Sequence, residues 1–246
     1  MIFVGRGALL HRAVASARAA GHRVDLVCSD EEADTGTAPF LHVTDVNTEA
    51  DRLTDHCTDG IVWSIDNRMI FRAPLLASGL RIYNIHNGLL PQHRGLASAA
   101  VLFALLHGHP EYGATLHEVD AGIDTGPVLA EERFPIPPDA RYHQLFLRSV
   151  QNCHRLFERT LPAVAAGRSF PPLPARSAAP PAYYGLRSLR ALRDHAAHPA
   201  FARATDLGVT APYVPEVASA LSLEPPVRAL GRGSGPSTDM PRTDLD

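Results

Sequence analysis

Apolar residues in this chain gather into short unbroken runs, and the stretches between them carry helical spacing. "MIFVG", "RVDLVCS", "GIVWSI" and "RIYNIH" show almost no polar alternation, the pattern of strands covered on both faces in a parallel sheet. "PFLHVT" is a weaker strand. "ALLHRAVASARAAG" predicts a helix ending at Gly21. A polar helix follows around Thr48 to Cys57, and "APLLASG" is a short one closed by Gly79. "LASAAVLFALLHG" is apolar all round, which predicts a helix buried on every side. "GATLHEVDAGIDTGPVLAEERFPI" reads as two strands joined by a Gly- and Asp-rich turn. Asp139 then offers a cap for a long amphipathic helix reaching about Ala166. Leu145, Phe146, Val150, Leu156, Phe157 and Leu161 lie on its apolar side. Strands alternating with helices predict an α/β fold with a mostly parallel, twisted sheet and helices on both faces.

The pattern changes after Gly167, so residues 1–167 form the expected main domain. Residues 168–223 read as a Pro-rich strap, "RSFPPLPARSAAPPAYYG", followed by a helical extension in which "LRSLRALRDHAAH" is a basic helix. Tyr183, Tyr184, Leu189, Leu192 and Phe201 give that extension apolar contacts for the main domain. Residues 224–246 have the Gly, Ser, Pro and Asp content of a disordered tail.

Composition removes several kinds of chemistry. All 23 basic residues are Arg, so Schiff-base catalysis, a Walker-type lysine and a Ser-Lys dyad are excluded. A net charge of −3 provides no electrostatic footprint for nucleic acid. Cys28, Cys57 and Cys153 are scattered and odd in number, as expected of reduced core thiols, and no metal is expected. The start of the chain lacks the pattern of an export signal and no run is long enough for a bilayer, which predicts a soluble, cytoplasmic protein. The Arg-, Ala- and Pro-rich usage suits a GC-rich bacterial genome. Gly5-Arg6-Gly7 begins like a dinucleotide fingerprint, but Leu10 takes the place of the third glycine and Asp30 sits in a polar loop. A tight turn without cofactor is therefore expected there. His107 and His109 read as exposed loop histidines, and no GxSxG elbow occurs.

The end of "RIYNIHNGLLPQHRG" is different. Asn84 and His86 are two residues apart on a strand and so project to one face. They lie where an open α/β sheet meets its ligand crevice. "DAGIDTGP" later brings Asp124 on a turn.

Together, "NIHNGLLPQHRG" and "GATLHEVDAGIDTGPVL" resemble the two linked signatures of the formyltransferases that use 10-formyltetrahydrofolate, over roughly residues 1–167. The resemblance implies a Rossmann-like formyltransferase fold and an N-formyltransferase with 10-formyltetrahydrofolate as cosubstrate. It implies that Asn84 donates to the formyl oxygen, that His86 is the general acid/base, and that Asp124 orients the imidazole. The pterin slot would be Arg68, Met69 and Ile70 with Asn84 and the turn Asp120, Ala121, Gly122, Ile123 and Asp124. Gly88 stands where many members have Ser, and Leu96-Ala97 replace a common Ala-Pro. "GRGALL" lacks the Gly-Ser-Asn phosphate loop of the ribonucleotide branch. The acidic balance and Pro-rich tail match neither the basic surface nor the C-terminal barrel of the methionyl-tRNA branch. The expected acceptor is thus a small or carrier-protein-bound amine: an amino sugar, amino acid or hydroxylamine. A 10-formyltetrahydrofolate hydrolase and a non-catalytic folate binder are the alternatives.

Overall fold

The unbroken apolar runs form the middle of one seven-stranded sheet. The computed structural model describes residues 1–31, 38–171, 173 and 180–222. β1 (Ile2–Gly5), β2 (Leu26–Ser29), β3 (Phe40–His42), β4 (Ile61–Ile65) and β5 (Arg81–His86) run parallel. The two-residue β6 (Arg94–Gly95) stands outside this sheet. β7 (Glu111–Glu118) and β8 (Val128–Pro135) add an antiparallel edge, giving the order β3-β2-β1-β4-β5-β7-β8. The chain builds outward from β1 to β3, then returns to the other side of β1 with β4. The crevice outside the carboxyl ends of β1 and β4 is therefore a topological switch point, where open α/β sheets bind their ligands.

One face of the sheet is closed by α1 (Gly7–Ala19) and α5 (Tyr142–Ala165). There Trp63 meets Phe157 edge-on at 4.9 Å, and Phe3 meets the same ring at 5.9 Å. The other face is covered by α2 (Ala50–His56) and α3 (Ala73–Leu76) through Leu53 and Leu75, with Phe71 from the loop before α3. α5 begins later than the sequence pattern suggests. Its N-cap is Arg141, whose backbone N–H is held by the Gln144 side chain, and Asp139 lies outside the helix. Of the expected apolar positions, Leu145, Leu156, Phe157 and Leu161 are fully buried, and Phe146 and Val150 are half-buried.

α4 (Ala97–Leu106) is buried from Ser98 to Leu106, as its uniform apolarity requires. Sheet and α5 cover only part of it. The rest is closed by the C-terminal segment: β9 (Tyr183–Tyr184), α6 (Leu186–Arg190), α7 (Phe201–Ala204) and α8 (Pro215–Leu221). Tyr184 stacks on Phe103 at 5.1 Å, and Arg203 donates to the Leu105 and Ala140 carbonyls. The predicted basic helix is broken, because α6 stops at Arg190 and a 3-10 turn over Leu192–His195 follows. That break lets both Leu189 and Leu192 reach the core while the arginines remain in water. β9 pairs in parallel with β6, an element too short to leave a sequence signal. Residues 224–246 lie outside the described residues. Among the described residues, no helix is long and apolar enough to cross a membrane.

Leu192 is 1% exposed and Leu186 is 57% exposed. Leu192→Ala should therefore cost about 2–5 kcal/mol, and Leu186→Ala less than about 0.5 kcal/mol. Urea unfolding of both variants checks this; equal effects would mean that the C-terminal segment is not part of the core.

Candidate active site

β5 ends at the crevice, and its pairing with β7 sets Asn84 opposite His117 and His86 opposite Thr115. The loop that follows holds a cis Leu90–Pro91 bond and folds back on the strand. Thr115 Oγ1 donates to the Gly88 carbonyl at 2.7 Å and accepts from Leu90 N–H at 3.2 Å. Glycine is required at position 88 by close approach. A Cβ there would lie 2.7 Å from His93 Cβ and 2.9 Å from His86 Nε2.

Hydrogen bonds fix the proton positions in the cluster. His86 Nε2 lies 2.6 Å from the His93 carbonyl, so this nitrogen carries hydrogen and Nδ1 is left for chemistry. Nδ1 faces Asp124 Oδ1 at 3.6 Å, an ion-pair distance longer than a hydrogen bond. The other Asp124 oxygen accepts from Gly95 N–H at 2.8 Å. Asp124 holds φ of 53°, left-handed backbone that Asp tolerates better than most residues. Arg94 Nε donates to the neighbouring Ile123 carbonyl at 3.0 Å, so β6 clasps the turn at two points.

His117 is the member that sequence reasoning missed. It was visible as the histidine of "GATLHEVD", yet its significance depends on lying across from Asn84, which only the register reveals. It is 2% exposed. Its Nδ1 donates to the Glu118 carbonyl at 2.8 Å, which leaves Nε2 to accept from Asn84 Nδ2 at 3.0 Å. One amide hydrogen of Asn84 is thereby committed, and the other meets no acceptor among the described residues. Burial, reinforced by the nearby His86, lowers the pKa of His117 and keeps it neutral. Its Nε2 is also 3.7 Å from Asp124 Oδ1. Asp124 thus stands between two imidazoles.

The proposed pterin-binding residues lie on the two flanking segments. Arg68, Met69 and Ile70 follow β4, where Asn67 accepts from Met69 N–H and Asn47 donates to the Ile70 carbonyl. Asp120 braces the other segment by accepting from Gly122 N–H and Thr125 Oγ1. Met69 and Val119 pack against the same apolar cluster as Phe71 and Ile82, so the segments converge. Ile70 and Ile123 remain 52% and 41% exposed. Ala121 lies within the turn and is also exposed. A separate cavity of about 540 Å³ lies at the opposite end of β5, between Tyr83, Glu118 and Phe170. None of the Asn84–His86–Asp124 trio lines it.

The remaining expectations resolve simply. His107 is exposed, whereas His109 is half-buried and meets His93 Nε2 through Nδ1 at 2.8 Å. The loop reading was therefore incomplete for His109. Burial pushes the Cys28 thiol up to about 12 and the Cys153 thiol higher still, so both are inert. Among the described residues, Asp25, Cys57 and Asp59 approach one another closely enough for a metal. Asp25 and Asp59 instead face the Met1 ammonium, at 2.7 and 3.2 Å.

His93 gives a pH test of this packing. It is 1% exposed, Nδ1 accepts from Leu89 N–H at 3.1 Å, and burial lowers its pKa to about 3. Unfolded histidine binds a proton near pH 6.5. Its contribution to stability is therefore complete above that value and is lost progressively as the pH falls toward 3. His93→Phe should reduce the slope of unfolding free energy between pH 6.5 and 5 by about 1 kcal/mol per pH unit. Urea titrations at the two pH values measure it, and an unchanged slope would rule out a neutral buried His93.

Comparison with known proteins gives this geometry a context. The Formyl transferase family model matches residues 40–161. Methionyl-tRNA formyltransferase from Myxococcus xanthus is 32% identical over 135 residues, 54% of this chain and 43% of that protein. The chain thus spans less than half the length of that relative. Glycinamide ribonucleotide transformylase 1 from Symbiobacterium toebii superposes with a TM-score of 0.60 at 28% identity, over 68% of this chain and 88% of its own. An N-formyltransferase from Helicobacter canadensis, solved with folinic acid and dTDP-3-aminofucose, shares the fold. Its TM-score is 0.58 at 17% identity, over 76% of this chain and 71% of its own. With the Asn-x-His strand end and the Asp turn lying inside the matched region, the chain belongs to the formyl transferase family.

Proposed function

We propose that this protein transfers the formyl group of 10-formyltetrahydrofolate to the amine of a small or carrier-protein-bound molecule. The observation that carries this reading is the convergence of Asn84, His86 and Asp124 at the carboxyl end of β5. The donor supplies the formyl carbon. The exposed Ile70 and Ile123 offer apolar cover for its pterin, and the backbone of residues 120–124 offers polar groups for the ring edge. Folinic acid bound by the Helicobacter canadensis protein is consistent with such a donor.

Each side chain then has one task. The free N–H of Asn84 donates to the formyl oxygen as negative charge develops there. His86 Nδ1 receives the proton that the attacking amine nitrogen loses and passes it to the departing N10. One C–N bond forms, one breaks and one proton is moved. Asp124 stabilises the imidazolium that exists between these transfers. Asn84 and His86 are held by His117 and the His93 carbonyl, so little reorganisation is needed at the moment of reaction.

His86→Ala should lower turnover by about 10²-fold or more while leaving donor binding largely intact. Absorbance at the tetrahydrofolate band with and without amine, together with mass analysis of the product, tests both points. Rapid donor consumption with water alone would reassign the protein as a hydrolase. Donor binding without consumption would leave a folate-binding protein.

A further inference from the structure

The cavity of about 540 Å³ opens on the face of the sheet turned away from Asn84 and His86, and its volume is ordinary for a small-molecule site. Successive residues of a strand project to opposite faces. β5 and β7 pair Asn84 with His117 on the crevice side, so the adjoining pair, Tyr83 and Glu118, points to the α5 side. Both line this cavity, with the end of α5 and the start of β8 around them.

One wall is apolar. Tyr83 packs in the core between sheet and α5 with Trp63 and Val164, and Leu129 and Phe170 lie against the same cluster. Tyr83 is 7% exposed, yet its hydroxyl has no hydrogen-bond partner among the described residues. A buried phenol ordinarily finds one. Because the residue borders the cavity, a guest there can supply the missing partner.

The other wall is charged. Arg81 opens β5 and Arg168 follows α5, where Gly167 turns the chain with φ of 61°. A Cβ on Gly167 would lie 3.8 Å from Arg81 Nη1, so the two segments come together. Arg81 donates to the Asp59 carbonyl at 3.4 Å, and neither arginine has a carboxylate partner among the described residues. Glu118 has no cation within ion-pair distance among them either. Two guanidiniums and one carboxylate thus border one apolar space. A hydrocarbon guest would use none of these charges, and a phosphate would meet Glu118 as a like charge. A carboxylate and an ammonium on one apolar body match every group.

We infer that this cavity is a second ligand site, which binds an apolar or aromatic amino acid as its zwitterion. Arg81 and Arg168 receive the carboxylate, Glu118 accepts from the ammonium, and the Tyr83 hydroxyl donates to a carboxylate oxygen. The side chain lies on Val164, Leu129 and Phe170. The site is distinct from the Asn84–His86–Asp124 trio, and the inference stands apart from the transferase reading.

Three probes test it on the full chain: L-phenylalanine, 3-phenylpropionate, which lacks the ammonium, and L-phenylalaninamide, which lacks the carboxylate. Trp63 is the sole tryptophan, and its ring lies 5.8 Å from that of Tyr83, so its emission reports on the cavity. Calorimetry gives the affinities independently. L-Phenylalanine should bind about tenfold or more tightly than either analogue, the scale of one charge-assisted contact. Arg168→Gln should weaken L-phenylalanine and 3-phenylpropionate alike by about tenfold. Glu118→Gln should weaken L-phenylalanine by about tenfold and leave 3-phenylpropionate within about twofold, a selectivity that misfolding would not produce. Tyr83→Phe should weaken L-phenylalanine about threefold or more with Tm unchanged, because the hydroxyl holds nothing else in the fold. Absence of saturable L-phenylalanine binding would overturn the inference. So would equal affinity for 3-phenylpropionate, or an L-phenylalanine affinity unchanged in both Arg168→Gln and Glu118→Gln.

Discussion

The antiparallel register between β5 and β7 is the constraint on which the site depends. Placing half-buried Asn84 across from His117 gives the buried imidazole a partner at 3.0 Å, and a buried imidazole without one would destabilise the fold. A one-residue slip would move every side chain of the edge to the opposite face. It would then separate Asn84 from its partner and Thr115 from the loop that it anchors. The same pairing carries the chain through Val119 into the turn that delivers Asp124. Stability and chemistry therefore select one alignment together.

Histidine does several different jobs within a few ångströms here. His86 has one nitrogen tied to a backbone carbonyl and one facing a carboxylate. His117 and His93 are both lowered in pKa by burial and serve as neutral hydrogen-bonding groups. The difference lies in what each ring meets. An acceptor on one nitrogen (the Glu118 carbonyl for His117, His109 Nδ1 for His93) and an N–H on the other suit a neutral ring, whereas His86 meets a carbonyl and a carboxylate. One residue type thus supplies both the moving part and its rigid support.

The sheet strands, the all-apolar α4 and the pairing of "NIH" with "DAGID" were legible because each is written in local period or in a local motif. What stayed hidden depends on residues distant in sequence. His117 looked like one more histidine until the register put it against Asn84. The break after Arg190 was invisible to periodicity because Leu189 and Leu192 turn toward a core built by α4, so tertiary contact overrides helical preference. β6 and β9 are two residues each, too short for any pattern.

That small pair has a mechanical consequence. Arg94 and Gly95 grip the Asp124 turn on one side and pair with Tyr183 and Tyr184 on the other. Asp124 and the C-terminal segment are therefore linked in series through two residues of backbone. A fusion, crosslink or binding event that tugs on the segment near Tyr183 would be felt as a displacement of a carboxylate, not as a distant change in shape. In this protein the far end of the chain is wired to the charge that sits beside His86.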